Sequence, residues 1–305
     1  MSTVQDRLLA ELEQKGYRGK VVSVEHSKDL QKDILELHRT GLLNEEFYNE
    51  NLTGFQFDYS KELLGAKSII IAAIPQPIIK LCFTWKGKPC EVIIPPTYLS
   101  TEVDRPVLEI VQHVLTPENY TLLRAKLPLK LLSVRSGLSM YGRNNISYVQ
   151  GMGSFNRLIA WVTDMPCEDS WQDVKRMPDC DTCHACLKNC PTKCIDAERY
   201  LLHAENCLTH LNEYGGRFPD WVDSTRHNAI VGCMHCQTVC PQNKQYSKTV
   251  EMRDVFTEEE VSLLLKGPEL SKLPEHTRNT LQRLDLIGYY GDNILSRNLG
   301  VLINK

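Results

Sequence analysis

The fold of this chain is decided by the stretch Cys180-Asp-Thr-Cys183-His-Ala-Cys186-Leu-Lys-Asn-Cys190-Pro191, in which three cysteines are spaced two residues apart and a fourth precedes a proline. A shortened copy follows later in the chain, Cys233-Met-His-Cys236-Gln-Thr-Val-Cys240-Pro241. The first copy matches the spacing by which bacterial ferredoxins hold 4Fe-4S clusters, with three closely spaced thiolates on one cluster and the fourth on the other, and the second copy is the same pattern with one cysteine fewer. The sequence therefore predicts two clusters.

The two motifs supply seven of the eight thiolates that two clusters need, because each cluster has four irons and each iron takes one thiolate. The crossed pattern assigns the first cluster to Cys180, Cys183, Cys186 and Cys240. The second cluster receives Cys190, Cys233 and Cys236 and lacks one ligand, for which Cys207, between the motifs, is the natural candidate. Paired Cys-x2-Cys units also build zinc sites, but a zinc site has no use for the third and fourth cysteines of this pattern. The remaining cysteines are expected to be small buried hydrophobic residues: Cys82, Cys90, Cys167 and Cys194.

The composition is that of a folded protein with one large domain or two ordinary ones. The chain has 305 residues, of which 42% are hydrophobic and 24% are charged, and its formal net charge of -3 argues against a general nucleic-acid coat. The most apolar stretch, 68–79, is broken by Pro75 and Pro77, and no apolar run follows a basic start. We therefore expect a cytoplasmic protein with neither a secretion signal nor a membrane span.

Hydrophobic periodicity predicts mixed helices and strands before the cysteine motifs and helices after them. Helical spacing occurs over 1–16, 30–43, 107–115 and 120–137, and strand patterns occur over 21–24, 68–74, 81–94 and 146–163. Residues 166–245 are rich in loops, and helical patterns return at 258–265 and 277–286. The prediction is an α+β fold with a cofactor domain over 1–165, a ferredoxin-like domain over 166–255 and closing helices over 256–305.

One stretch of the first predicted domain is basic. From Asn119 to Thr163 there is no Asp or Glu, but there are six basic residues: Arg124, Lys126, Lys130, Arg135, Arg143 and Arg157. A run of like charge is often a solvated face, and it also suits a pocket for an anion such as a phosphate tail. Both interpretations stay open.

The same stretch resembles a known family. Gly137-Leu-Ser-Met-Tyr-Gly142-Arg143-Asn144-Asn145, then Gly153-Ser154 and Val162-Thr-Asp-Met-Pro166 are similar to the GLGWxGK(N/H) and GS...LTDLP segments of the cobalamin-dependent epoxyqueuosine reductases, which are related to reductive dehalogenases. The likeness includes both cysteine motifs, with Cys207 in the family's CxSYLT position. It covers roughly residues 55–75 and 128–305.

The resemblance implies a nitroreductase-like α+β domain that binds a corrinoid with its cobalt base-off, next to a ferredoxin-like domain whose two 4Fe-4S clusters supply electrons. By position, the residues that would contact the corrinoid are Gly142, Arg143, Asn144 and Ser154, with Thr209 and Asn212 approaching from the cluster side. Turn formation and capping are the alternative roles for these residues.

The chain departs from the family at the proton donor. The family has an acidic residue three positions before the proline that matches Pro128, and this chain has Ala125 there. Reduction of an epoxide to an alkene must protonate the departing oxygen, so the loss removes a general-acid contribution of about 10²- to 10⁴-fold. Tyr141 and His210 are the candidate catalytic substitutes, with Tyr98 as a further donor candidate.

The sequence thus predicts a corrinoid-dependent iron-sulfur reductase acting on a small molecule or modified nucleoside. Its electrons would come from an external low-potential donor such as a flavodoxin or ferredoxin. A tRNA partner is disfavoured because residues 95–98 replace the family's substrate segment and the C-terminal helical repeat that many members use on tRNA is not found here. Two other classes remain: a protein that reductively activates another corrinoid or metallo-protein, and a two-cluster ferredoxin fused to a flavin domain.

Overall fold

The computed structural model describes residues 3–304. Its α-helices are α1 (Val4–Gln14), α2 (Ser27–Arg39), α3 (Glu45–Asn51), α4 (Ser100–Leu115), α5 (Leu129–Arg135), α6 (Ala185–Asn189), α7 (Leu208–Glu213), α8 (His235–Thr238), α9 (Glu258–Lys266), α10 (Glu275–Arg283) and α11 (Ile294–Ile303). Its strands are β1 (Arg18–Ser23), β2 (Ser68–Pro75), β3 (Ile78–Trp85), β4 (Lys88–Ile94), β5 (Leu122–Arg124), β6 (Ser139–Tyr141), β7 (Ser147–Val149), β8 (Asn156–Thr163) and β9 (Val250–Phe256).

The chain forms two compact units that do not follow a single cut in the sequence. The first unit runs through residue 75 and includes 103–183 and 198–201. The second comprises 76–102, 184–197 and the chain from 202 onward. The predicted boundaries at 165 and 255 differ from this division, because β3 pairs in parallel with β9, far along the chain.

The first unit is built on a four-stranded antiparallel sheet of order β1-β2-β8-β5. Alternate side chains of β2 point to opposite faces of the sheet. Ile69 packs in one apolar cluster with Leu132 of α5, and Ile70 packs in another with Leu8 of α1 and Val107 of α4. The sheet is therefore covered by helices on both faces, which explains why β2 is a continuous apolar run.

A short antiparallel hairpin of β6 and β7 completes the first unit, and it carries the residues that resemble the corrinoid-binding segment. The pattern over 120–137, predicted as helical, is β5 followed by α5, with Pro128 immediately before α5. The two strands predicted within 146–163 do form, as β7 and β8, but β7 pairs with β6 and β8 pairs with β2 and β5.

The second unit contains a three-stranded sheet of order β4-β3-β9. The hairpin of β3 and β4 turns at Lys86 and Gly87, both of which have positive φ. Phe83 and Phe256 stack with their ring centroids 4.6 Å apart in the core of this unit. Helix α9 begins with a capping box in which Thr257 and Glu260 cap each other's backbone N–H.

Within residues 3–304, no helix is long and apolar enough to cross a membrane.

Candidate iron-sulfur and cofactor site

The predicted ligands of the first cluster fall in both units. Cys180 ends a short 3-10 turn, and the Cys183 backbone N–H donates to the Asp179 carbonyl, both within the first unit. Cys186 lies in α6 and Cys240 follows α8, both within the second unit. All four thiols are partly exposed.

Within the second unit, the end of the first cysteine motif lies beside the second motif. The Asn189 side chain, at the end of α6, donates through Nδ2 to the carbonyl of His235, the first residue of α8, at 2.8 Å. This bond places the segment that ends in Cys190 next to the helix that contains Cys236. The crossed ligand pattern of the sequence analysis requires these two segments to be neighbours.

Three predicted ligands of the second cluster have the same local arrangement. Cys190, Cys207 and Cys233 each accept a hydrogen bond on sulfur from the backbone N–H two residues later, at Thr192, Thr209 and His235. The hydroxyls of Thr192 and Thr209 also hydrogen-bond the same sulfurs. Such bonds stabilise thiolate, which is the form that binds iron.

Burial and hydrogen bonding shift the pKa values of these three thiols in different directions. Burial raises the pKa of Cys233 to about 12, and the nearby Cys207 and Cys190 add to the rise. Hydrogen bonds from Cys194 and Thr192 lower the pKa of Cys190 to about 5, and a hydrogen bond from Cys194 lowers that of Cys207 to about 7. Cys190, Cys207 and Cys233 thus lie close enough to influence one another, and their donor chemistry fits an iron-sulfur cluster.

Cys194 lies among these ligands. It is 3% exposed, its Sγ is 3.5 Å from that of Cys190, and it hydrogen-bonds Cys207. Of the four cysteines expected to be buried hydrophobic residues, Cys194 alone is buried, and the other three are partly exposed: Cys82, Cys90 and Cys167.

A site for a single metal ion needs a different arrangement of ligands from a 4Fe-4S cluster. In the described part of the chain, no three His, Cys, Asp or Glu side chains converge on one point where they could hold one ion. The thiolates of a 4Fe-4S cluster attach to four separate irons, so they need not converge in this way.

The segment predicted to contact a corrinoid is a tight turn. The Gly142 N–H donates to the Ile146 carbonyl, and Asn145 has a positive φ of 57°. A Cβ at Gly142 would lie 2.5 Å from a ring carbon of Tyr148, so only glycine fits there. The Asn144 amide donates to the Tyr148 hydroxyl at 3.0 Å. Gly142 and Asn144 therefore build the turn, and Ser154 is buried in the same unit.

Arg143 binds the protein itself. It is 5% exposed, and its Nε and Nη2 both donate to the Cys180 carbonyl, at 3.2 and 2.9 Å. Its guanidinium lies 4.7 Å from the ring centroid of Tyr200, and that of Arg176 lies 4.5 Å from the same ring. Arg143 thus fixes the backbone of a predicted cluster ligand.

The two residues predicted to approach from the cluster side also have structural partners. Thr209 donates to Cys207, as described above. The fully buried Asn212 donates to the Gly232 carbonyl at 2.7 Å, and its Oδ1 is 3.0 Å from Nδ1 of His227. Because Gly232 precedes Cys233, Asn212 positions a predicted ligand.

The candidate proton donors have different surroundings. Burial and the negative charge of Asp33 raise the pKa of Tyr141, so this phenol stays protonated. Asp33 pairs with Nε of Arg135 at 3.2 Å, and burial raises its pKa despite that cation. The ring of His210 lies 4.3 Å from that of Tyr214, and Tyr98 donates its hydroxyl to Glu213. Sequence reasoning missed Asp33 because it lies far from Tyr141 along the chain.

The acid-free basic stretch is compensated by carboxylates from outside it. Arg124 and Arg157 both pair with Asp104, at 3.1 and 2.5 Å. Arg135 pairs with Asp33 and lies near Asp173. The sequence left two interpretations of the basic stretch, a solvated charged face or a pocket for an anion. Neither describes these three arginines, because each forms an ion pair with a carboxylate within the first unit.

Ala125 occupies a core position. It is 7% exposed, its N–H donates to the Ala160 carbonyl, and its side chain belongs to an apolar cluster with Leu127 and Leu132. The structure therefore has an apolar contact where the family has its acid.

Comparisons with known proteins agree with this picture. Residues 179–243, which contain all eight predicted ligands, match the family described as a 4Fe-4S double cluster binding domain. The chain is 30% identical over 149 residues to an epoxyqueuosine reductase of Atelocyanobacterium thalassa, an alignment that covers 48% of this chain and 47% of that relative. It is 33% identical over 121 residues to the Escherichia coli epoxyqueuosine reductase, covering 39% of this chain and 31% of that relative. The chain thus spans about half or less of the length of the curated relatives it matches.

The fold is that of solved epoxyqueuosine reductases. The structure of the Bacillus subtilis enzyme superposes with a TM-score of 0.68 at 20% identity, over 98% of this chain and 81% of that one. An epoxyqueuosine reductase solved with an epoxyqueuosine-modified tRNA stem loop gives a TM-score of 0.69, also at 20% identity. These findings confirm the predicted α+β fold class, the double 4Fe-4S domain and the resemblance to this family.

Proposed function

We propose that this chain is an iron-sulfur and corrinoid-dependent reductase, which receives electrons from an external low-potential donor such as a flavodoxin or ferredoxin. One observation supports this most directly: a double 4Fe-4S domain lies within a chain that has the epoxyqueuosine reductase fold over 98% of its length. A base-off corrinoid, when bound, would supply a strongly reducing cobalt centre.

In this proposal, cysteines of the chain bind the two clusters and a tyrosine donates the proton. We assign the first cluster to Cys180, Cys183, Cys186 and Cys240, and the second to Cys190, Cys207, Cys233 and Cys236. Tyr141 is a better candidate proton donor than Tyr98, because the Tyr98 hydroxyl already donates its hydrogen to Glu213, although burial and the charge of Asp33 raise the pKa of Tyr141. A phenol with a raised pKa is a weak acid, so proton delivery from Tyr141 Oη would be slow at neutral pH.

The substrate we propose is a small molecule or a modified nucleoside whose reduction does not depend on fast protonation. Ala125 supports this restriction, because its side chain packs in the apolar core. A tRNA-borne nucleoside is the substrate class suggested by the relatives' names and by the solved complex with a tRNA stem loop.

A second candidate is a protein that reductively activates another corrinoid or metallo-protein. It is favoured by the side chains of Arg143, Asn144 and Asn212, which are buried and hold the Cys180 carbonyl, the Tyr148 hydroxyl and the Gly232 carbonyl. A corrinoid held beside them would have to use other groups, Ser154 and the turn backbone among them.

Cofactor binding separates the two candidates. Anaerobically reconstituted protein should contain about eight irons and eight sulfides. Added cobalamin should bind in calorimetry at micromolar concentration and give a cob(II)alamin electron paramagnetic resonance (EPR) signal without nitrogen splitting. Intact clusters without cobalamin binding would overturn the corrinoid proposal and favour the activating protein. A flavin spectrum would instead select a ferredoxin fused to a flavin domain.

A further inference from the structure

We propose that Cys194 is a fifth thiol of the second cluster, which binds no iron and donates its S–H hydrogen bond to the ligand sulfurs of Cys190 and Cys207, raising the reduction potential of that cluster. This inference rests on the iron-sulfur part of the proposed function and is independent of the corrinoid.

The position of Cys194 is the first step. Its Sγ lies 3.5 Å from Sγ of Cys190, and it also hydrogen-bonds Cys207. The side chain is 3% exposed, and its carbonyl accepts a hydrogen bond from the His203 N–H at 2.8 Å, which fixes the backbone there. The thiol is therefore held against two sulfurs and away from water.

Iron binding determines the direction of the hydrogen bonds. Once Cys190 and Cys207 are iron-bound thiolates, neither carries a hydrogen, so Cys194 is the one member of the trio that can donate. Its single hydrogen can be given to either sulfur or shared between them.

The ligand count leaves Cys194 in this role. Cys190, Cys207, Cys233 and Cys236 already supply one thiolate to each of four irons. The sulfur of Cys207 accepts hydrogen bonds from both the N–H and the hydroxyl of Thr209. These donors stabilise Cys207 as a thiolate, the form that binds iron. The thiol of Cys194 hydrogen-bonds the two neighbouring sulfurs.

Hydrogen bonds to cluster sulfurs are one of the factors that set the reduction potential. Reduction adds one electron and one negative charge to the cluster, and a nearby S–H dipole stabilises that added charge. No bond is made or broken, and the proton stays on Cys194. The first cluster has no corresponding fifth cysteine in its motif, so the two clusters should differ in potential.

The test uses the full chain, reconstituted anaerobically, with the variants Cys194→Ala and Cys194→Ser and the control Cys90→Ala. Cys90 belongs to the same unit, but its thiol is directed to the Leu302 carbonyl. We expect Cys194→Ala to retain the wild-type iron and sulfide. At the wild-type midpoint, the ratio of reduced to oxidised second cluster should fall about tenfold, which is a shift of about 59 mV for a one-electron couple.

A second readout follows the proton itself. Hyperfine spectroscopy of the reduced cluster in D2O should lose one exchangeable proton in Cys194→Ala and keep one in Cys194→Ser, because serine has an O–H donor. An unchanged potential in Cys194→Ala, or loss of a cluster in that variant, would overturn the proposal, since the second result would make Cys194 a ligand. If wild-type protein takes up no clusters, the proposed function fails before this test begins.

Discussion

The second cluster region and the turn over 142–145 differ in where their hydrogen bonds end. At the cluster, Thr192, Thr209 and Cys194 direct donors at cysteine sulfurs. At the turn, Arg143 and Asn144 direct donors at a carbonyl and a hydroxyl of the protein. Donors that converge on cysteine sulfurs can stabilise thiolates for iron binding, whereas the donors of the turn hold its own backbone and side chains in place.

The largest effect should come from removing Cys207. Cys207→Ala should lose the second cluster only, so that the iron and sulfide content falls by half, from about eight of each to about four. The first cluster should keep its EPR signal, because no ligand assigned to it is changed. Iron analysis and EPR of anaerobically reconstituted protein measure both quantities.

Cys90→Ala is the matched control for Cys207→Ala and should retain both clusters. Two intact clusters in Cys207→Ala would contradict the ligand assignment. Cys194, which hydrogen-bonds Cys207, would then be the next candidate for the fourth ligand. The hydrogen bonds around Cys194 and Cys207 could then no longer be used to tell which of the two binds iron and which donates a hydrogen bond.

The second largest effect concerns the position of the missing acid. Ala125→Asp places a carboxylate in the apolar cluster with Leu127 and Leu132 and should destabilise the fold by about 3 kcal/mol at neutral pH. Burial would raise the pKa of the new carboxyl in the folded state. The folded protein would then bind the proton more tightly, so the loss should shrink as pH falls toward the unfolded pKa of about 3.9. Urea denaturation at pH 5 and pH 8 measures this.

Ala125→Asn is the uncharged control, and its loss of stability should not depend on pH in this way. Neither the wild type nor Ala125→Asp should reduce epoxyqueuosine in tRNA at an ordinary rate of order 1 per second. Wild-type turnover at such a rate would show that another residue, Tyr141 first among them, delivers the proton efficiently.

The parts of the molecule that sequence could predict are those where chemistry fixes both residue type and spacing. Iron ligation does so for the double 4Fe-4S domain, which the family match over 179–243 confirms, and burial on both faces does so for the isoleucines of β2. Strand β9 was missed because its alternation of apolar and charged residues covers only Val250 to Arg253 and breaks at Asp254. The pairing of Arg135 with Asp33 joins residues about a hundred positions apart, and no local pattern records it.

A smaller effect is expected at Gly232, which adjoins Cys233. Gly232 has a φ of 65°, and a Cβ there would lie 2.8 Å from ring carbons of Tyr98 and closer still to its hydroxyl. Gly232→Ala should therefore cost about 2 kcal/mol through backbone strain and crowding. It should also lower the occupancy of the second cluster relative to the first, as measured by iron content and EPR.

The double variant Tyr98→Phe with Gly232→Ala tests the crowding part of this cost. Removing the hydroxyl should recover part of the stability lost in Gly232→Ala, measured against Tyr98→Phe alone. No recovery would mean that backbone strain accounts for the whole effect. A Gly232→Ala protein with full stability and both clusters would show that the backbone before Cys233 tolerates change, which would weaken the assignment of Asn212 as a positioning residue.

The smallest effect should come from Arg143→Lys, which decides whether the turn is a framework or a binding site. Lysine keeps the charge but cannot make the paired bond to the Cys180 carbonyl or stack its plane on Tyr200, so we expect a loss of about 1 kcal/mol in urea denaturation. Cobalamin affinity, measured by calorimetry, should change by less than about threefold, which is below 1 kcal/mol. Arg176→Lys is the matched control, because Arg176 stacks on the same Tyr200 ring. If Arg143→Lys instead weakens cobalamin binding tenfold or more with unchanged stability, Arg143 serves the corrinoid, and the contrast between the two regions no longer holds.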